Sequence, residues 1–270
     1  MTTDARTQGG WSRSKVLLRA LPVVSVLVMV LLWTVVYRFT VFLPSPSEVT
    51  SAAIEIVSDP ATYGPVLSSL VRLVIGIGVG MIAALLLCLA GMRSSFVQAM
   101  VRTYVRIAIV VPSLLLALLG LVILGTTTWS AVLIVAVLVF PFAAVPMQDG
   151  LRSLEGAHLE AAHVYRFGRA RTIRHVVLPH MAPYVFSAIR NSHALGWKVL
   201  IVAEIFAVRS GIGHEFQRAF DLFDIARVAV WLIVFLAIIA VIEYGVLEIV
   251  ERRVFRWRPG KHREQLVAAG

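Results

Sequence analysis

The chain has 270 residues, of which 59% are hydrophobic and 15% charged, with a mean hydropathy of +0.86. Soluble domains carry nearer a quarter of charged residues, so an ordinary soluble fold is excluded and an all-α, polytopic membrane protein is indicated. The formal charge of +10 does not point to nucleic acid, because the basic residues gather at the ends of apolar runs, where they read as topology signals and lipid-headgroup contacts. The one cysteine, Cys88, falls inside an apolar run, which leaves neither a disulfide framework nor a metal-ligand cluster.

Residues 1–15 are polar and form an N-terminal tail. The apolar stretch after Arg13, Lys15 and Arg19 is too long for the core of a signal peptide and no small-residue cleavage site follows it, so it is expected to stay as a first span over residues 16–39. The stretch LPSPSEVTSAAIEIVSDPATYG, punctuated by Pro44, Pro46, Pro60 and Gly64, reads as a short amphipathic segment at the outer surface, capped by Ser47. A second span over 65–91 carries Gly76, Gly78, Gly80, Ala83 and Ala84, small residues that let helix backbones approach. A tight inner turn follows at 92–95. A third span then runs over 106–124 with a kink at Pro112, and an outer turn at 125–129 leads into a fourth span over 130–147, interrupted by Pro141 and Pro146. A fifth span is expected over 182–205, an outer loop over 206–227 and a sixth span over 228–249. This gives six helices, a transmembrane domain over 16–251 and a C-terminal tail over 252–270.

Between the fourth and fifth spans lies a polar island, residues 149–180, DGLRSLEGAHLEAAHVYRFGRARTIRHVVLPH. Five arginines (Arg152, Arg166, Arg169, Arg171, Arg174) and three acids (Asp149, Glu155, Glu160) cannot rest in hydrocarbon, where each central charge costs about 2.5 kcal/mol or more. Leu151, Leu154, Leu159, Ala162 and His163 recur at helical steps, and Pro179 is expected to close the segment. With the island and both termini inside, sixteen basic residues fall on the cytoplasmic side, against Arg38, Arg209, Arg218 and Arg227 outside. That bias sets the topology.

The island resembles the EAA loop of the permease subunits of ABC importers. Glu160-Ala161-Ala162 and, eighteen residues after the glutamate, Leu178-Pro179 fit the family spacing. LPSPSEV, SSLVRLVIGIGVG and LGWKVLIVAEIF with SGIGHEF are similar to the branch that imports nitrate, taurine, aliphatic sulfonates or pyrimidine precursors. The resemblance implies a coupling helix in this loop that docks on a cytoplasmic ATPase. Ala161 and Ala162 would permit close docking, Glu160 would be the polar anchor, and Leu178-Pro179 would set the angle of the fifth span. It also implies a second permease chain, a soluble binding protein outside, and ATP with magnesium held by the partner ATPase. No Walker-type glycine loop occurs in this chain. The chain departs from the pattern where the family glycine falls at Arg166. Either the turn moves to Gly168, or the loop binds its ATPase differently, or the departure marks one half of a heteromeric permease pair, because arginine takes a left-handed backbone only at a cost.

The fifth span has the richest polar content. At 100° per residue, Ser187, Asn191 and Lys198 share one side, while His193, Trp197 and Glu204 lie nearly opposite. One of these faces is expected to line the solute path. Lys198 would attract an anion and Asn191 and Ser187 would donate hydrogen bonds to it. Glu204 would pair with a cation or a neighbouring helix, Arg72 reads as structural, and Gly211 and Gly213 read as turn formers in the outer loop. The competing class is a membrane-embedded lipid-modifying enzyme. It would need paired acids or a metal cluster, and Glu243 and Glu248 look too isolated to supply one. The resemblance implies a non-catalytic permease in a prokaryotic inner membrane as the expected function.

Overall fold

The computed structural model describes residues 24, 25, 27–40, 43–154 and 164–254, and every regular element among them is helical. The chain forms two compact units. One contains the described residues up to Asp59 together with Ala219–Val230, and the other contains Pro60–Arg218 with the chain from Trp231 onward.

In the first unit, α1 (Leu27–Tyr37) is an apolar helix. Its Trp33 indole donates to the Pro44 carbonyl at 3.1 Å, which ties the helix to the segment that follows. The helix α2 (Pro46–Ser58) starts on a capping box, in which the Ser45 hydroxyl accepts from Glu48 N–H and the Glu48 carboxylate accepts from Ser45 N–H. The cap is thus Ser45 and not Ser47, because Pro46 takes the first helical position, where its missing N–H costs nothing.

The second unit is built around α6 (Thr128–Arg152), which buries 78% of its apolar window. Thr127 caps it by accepting from Ser130 N–H. Pro141 and Pro146 do not interrupt this helix: both lie inside it and are buried. On one side packs α3 (Tyr63–Gly91), whose Gly80 leaves no room for a side chain, since a Cβ there would stand 2.6 Å from the Ala136 carbonyl oxygen. Between membrane helices the lipid tails remove most of the hydrophobic drive, so this closeness of backbones supplies the packing energy.

A turn at 92–94 leads to α4 (Ser95–Val110) and α5 (Ser113–Leu124), which meet at an angle of 108°. This corrects the expected third span. The segment is a broken pair and not a kinked helix, because Pro112 pushes Val111 out of the helical region to ψ 131.

Beyond residues 155–163, which lie outside the described part, α7 (Arg169–Thr172) passes through a π turn (Ile173–Val177) into α8 (Leu178–Ala207). Pro179 therefore does not close the segment. The π turn shifts the hydrogen-bond ladder, with Leu178 N–H donating to the Ile173 carbonyl, and the proline sits in the first turn of α8 without breaking the run. The expected outer loop holds a helix of its own, α9 (Ile212–Asp221). Last comes one long apolar run, Ile225–Val254, made of α10 (Ile225–Ala240), a π turn (Val241–Leu247) and α11 (Glu248–Val254). By length and composition three helices can cross a membrane, or four if α4 and α5 form one span.

Candidate functional site

Most polar groups buried among apolar helices find partners, and in the second unit the networks around Glu204 and around His193 stand out, together with an exposed stripe on α8. The first network centres on Glu204. Its carboxylate is fully buried, with Arg72 Nη1 at 2.8 Å, the Ser69 hydroxyl 2.8 Å from both oxygens and the Gly213 N–H at 3.0 Å. Ser69 in turn accepts from Ile212 N–H at 2.9 Å, and Arg72 donates to the carbonyl and hydroxyl of Ser210. Two helices and the start of α9 are thereby pinned to one carboxylate.

The glycines follow from this. Gly211 has φ +113, and a Cβ on it would overlap the Glu204 carboxylate. Gly213 is not a turn former: it lies in α9, where a Cβ would stand 2.7 Å from the Ile201 carbonyl oxygen and 2.8 Å from Glu204 Cβ. It permits close approach.

The second network surrounds His193 and Trp197, both buried. Trp197 Nε1–H donates to His193 Nε2 at 2.9 Å, and the Trp197 ring packs edge-on against Phe235 at 5.5 Å. Because Nε2 accepts, a neutral His193 carries its proton on Nδ1, which faces Glu243 Oε2 at 3.7 Å. Sequence reading misses two members of this network. Arg190 lies 2.8 Å from Glu243 and 3.1 Å from Glu251, so Glu243 is not isolated, and Glu248 pairs with Arg252 one turn on. Nothing in the spacing hints at it, because in an unbroken helix Glu243 and Glu251 would point about 80° apart.

Ser187, Asn191 and Lys198 are all exposed along one side of α8, while Glu204, His193 and Trp197 are enclosed on the other. No carboxylate among the described residues pairs with Lys198.

In the island, Glu160, Ala161 and Ala162 lie outside the described residues. Arg166 adopts φ +53, so the turn has not moved to Gly168; arginine itself takes the left-handed conformation. Gly168 instead starts the next helix, its carbonyl accepting from Thr172 N–H at 3.0 Å. Arg171 stacks over Phe167 at 5.7 Å, and Leu178 and Pro179 are exposed on the surface that follows. Among the described residues no group of histidines, cysteines and acids could hold a metal ion.

Long apolar helices tied together by buried polar networks define a helical membrane protein. Residues 76–256 match the family described as "Binding-protein-dependent transport system inner membrane component", and the chain belongs to that family of ABC transporter permeases. The chain is similar to an Escherichia coli (strain K12) protein named for aliphatic sulfonates transport, 28% identical over 247 residues, covering 90% of this chain and 92% of that one. It is similar also to the taurine transport system permease protein of the same organism, 24% identical over 221 residues and 80% of each chain. Among solved structures it shares its fold with a chain from the crystal structure of an amino acid ABC transporter with histidines, at a TM-score of 0.54 and 17% identity, covering 76% of this chain and 94% of that one. These relatives are transport permeases, and the lipid-modifying enzyme finds no support.

Proposed function

We propose that the chain is one permease of an ATP-driven importer for a small sulfonate, taurine or a related anion such as nitrate. It would cross the inner membrane six times, with both termini and the 149–180 loop in the cytoplasm. α1, the α4–α5 pair and α8 would supply the spans beyond the three long apolar helices. A second permease copy or relative would complete the path, and a soluble binding protein would deliver the solute outside. ATP and magnesium would belong to a partner ATPase that grips the loop at Glu160, Ala161 and Ala162, with Arg166, Gly168, Leu178 and Pro179 shaping the surface beside it. Closure of the ATPases would then open the path alternately to the two sides.

The observation that carries the substrate class is Lys198 on the open stripe of α8. It is an exposed ammonium without a carboxylate partner among the described residues, with Asn191 and Ser187 on the same side. An anion passing there meets one positive charge and two side chains able to donate hydrogen bonds. Family membership and the two sulfonate-related names support the same reading. The test is uptake of labelled taurine into proteoliposomes holding the complete transporter, with and without internal ATP. ATP-dependent accumulation, outcompeted by alkyl sulfonates and not by uncharged analogues, is expected. Accumulation indifferent to the sulfonate would overturn the substrate class.

A further inference from the structure

Arg190, in the first half of α8, reaches two carboxylates of the last apolar run. Its Nε lies 2.8 Å from Glu243 Oε1 and its Nη1 3.1 Å from Glu251 Oε2. In an unbroken α-helix two residues eight apart point about 80° away from each other. The π turn Val241–Leu247 adds one residue to the ladder, so Glu243 and Glu251 come round as if seven apart, about 20° off a common line. The turn is what lets one guanidinium serve both acids. π turns are concentrated at functional positions, and this one has a visible consequence.

The Arg72–Glu204 pair and the Arg190 cluster differ in kind. Arg72 and Glu204 are 7% and 0% exposed, whereas Arg190, Glu243 and Glu251 are 39%, 26% and 40% exposed. A fully enclosed pair cannot part without stranding a charge, whereas a half-exposed one has open space beside it into which its partners can separate, at a cost that is small wherever water fills that space. The Arg190 Nε–H, though close to Glu243, is not aimed along a hydrogen bond, so the contact is an ion pair held by proximity. The last run is also the least enclosed of the long helices, with 11% of its apolar window buried against 78% in α6. The Trp197–Phe235 ring pair and the His193–Glu243 approach also join it to α8.

We propose that Arg190 is a releasable clasp between α8 and the last helical run. It is a positioning residue that holds Glu243 and Glu251 in the arrangement seen here and lets them go when the path changes its open side. This rests on the alternating-access reading above. The α8 stripe and the clasp belong to one continuous helix, so movement of the last run relative to α8 would be felt along the face that carries Lys198.

The experiment measures ATP hydrolysis and taurine uptake together, in proteoliposomes containing this chain, its ATPase and its binding protein. Arg190→Gln is expected to raise hydrolysis in the absence of solute by roughly five-fold, the low end of a coupling between two conformations, and to lower taurine moved per ATP by a similar factor. Arg190→Lys should restore most of the coupling, and Arg190→Glu combined with Glu243→Arg should restore part of it. Uptake and hydrolysis that fall together in proportion to the protein in the membrane would show a merely structural residue and overturn the clasp, as would wild-type values for both. If Arg190→Gln does not accumulate, Glu251→Gln at the most exposed end of the cluster carries the same test with a smaller shift in the same direction. A wild-type transporter without ATP-driven uptake would overturn the importer reading and the clasp with it. Wild-type uptake alongside unchanged coupling in Arg190→Gln overturns the clasp alone.

Discussion

Arg72 and Glu204 stand 2.8 Å apart although 132 residues separate them in the chain, and both are enclosed. Their pairing joins α3 to α8, and through Ser69, Ser210, Ile212 and Gly213 it also fixes where α9 begins. A carboxylate this deep is tolerated only because each oxygen is met by donors, and the arginine is tolerated for the converse reason.

Removing one partner should therefore be severe. Glu204→Ala is expected to destabilise the purified protein by about 3–5 kcal/mol, because it leaves the Arg72 guanidinium enclosed without its counter-charge. The double variant Arg72→Leu with Glu204→Leu should lose less than the sum of the two single changes, since neither charge is then stranded. Denaturant titration in detergent checks both, and additive losses would show that the two side chains do not act as a pair.

The glycines of α3 give a sharper contrast. A Cβ on Gly80 would meet the backbone of Ala136 at 2.6 Å, whereas one on Gly78 would meet nothing within 4 Å. Gly78→Ala should stabilise by up to about 1 kcal/mol, because alanine is the better helix former and has open space. Gly80→Ala should destabilise by about 1–3 kcal/mol through overpacking against α6. Opposite shifts in the melting temperature of the two variants, two residues apart on one helix, are the expected result.

What the sequence shows and what it hides divide along physical lines. The close approach at Gly76 and Gly80 of α3 and the sidedness of α8 are legible because each is a local pattern of spacing, although Gly78, read with them, faces open space. The separation of Ser187, Asn191 and Lys198 from His193, Trp197 and Glu204 needs nothing more than 100° per residue. The partner of Glu204 is not legible, since nothing near position 204 names Arg72. Proline is the residue read least well. Pro112 separates two helices by 108°, Pro141 and Pro146 leave α6 continuous, and Pro179 rides through on a π turn. Whether a proline breaks a helix depends on whether its neighbours can take up the lost hydrogen bond, and that is a property of packing. The same holds for the Arg190 cluster, whose two acids come into line only through a π turn.

Arg166 offers a test in which the substitution should improve the protein. It is an exposed arginine at φ +53, where an L side chain is disfavoured by about 1–2 kcal/mol and glycine is not. Arg166→Gly should relieve that strain, and Arg166→Val should deepen it, because a β-branched side chain tolerates the left-handed region least. If the loop beside it is the grip for the ATPase, the relief appears as binding tighter by up to about ten-fold for glycine and weaker for valine. Co-purification titrations of the ATPase against the three proteins measure it. Equal affinity for all three would separate the turn at Arg166 from the docking surface.

Lys198 gives the most direct test of the solute path. Its side chain is exposed and pairs with no carboxylate among the described residues, so Lys198→Ala should leave the melting temperature of the purified protein within about 1 °C of wild type, as surface changes usually do. A charge-assisted contact to an anion is worth about 1.5–3 kcal/mol, so its loss should lower taurine uptake at sub-saturating concentration by roughly ten-fold or more. Lys198→Arg keeps the charge on a different geometry and should retain intermediate uptake. Asn191→Ala, which removes a neutral donor from the same stripe, should have the smaller effect of a neutral hydrogen bond, about 0.5–1.5 kcal/mol. The order wild type, Asn191→Ala, Lys198→Ala in uptake, with unchanged stability throughout, is what an anion passing along this face of α8 requires. Wild-type uptake by Lys198→Ala would move the path to another helix.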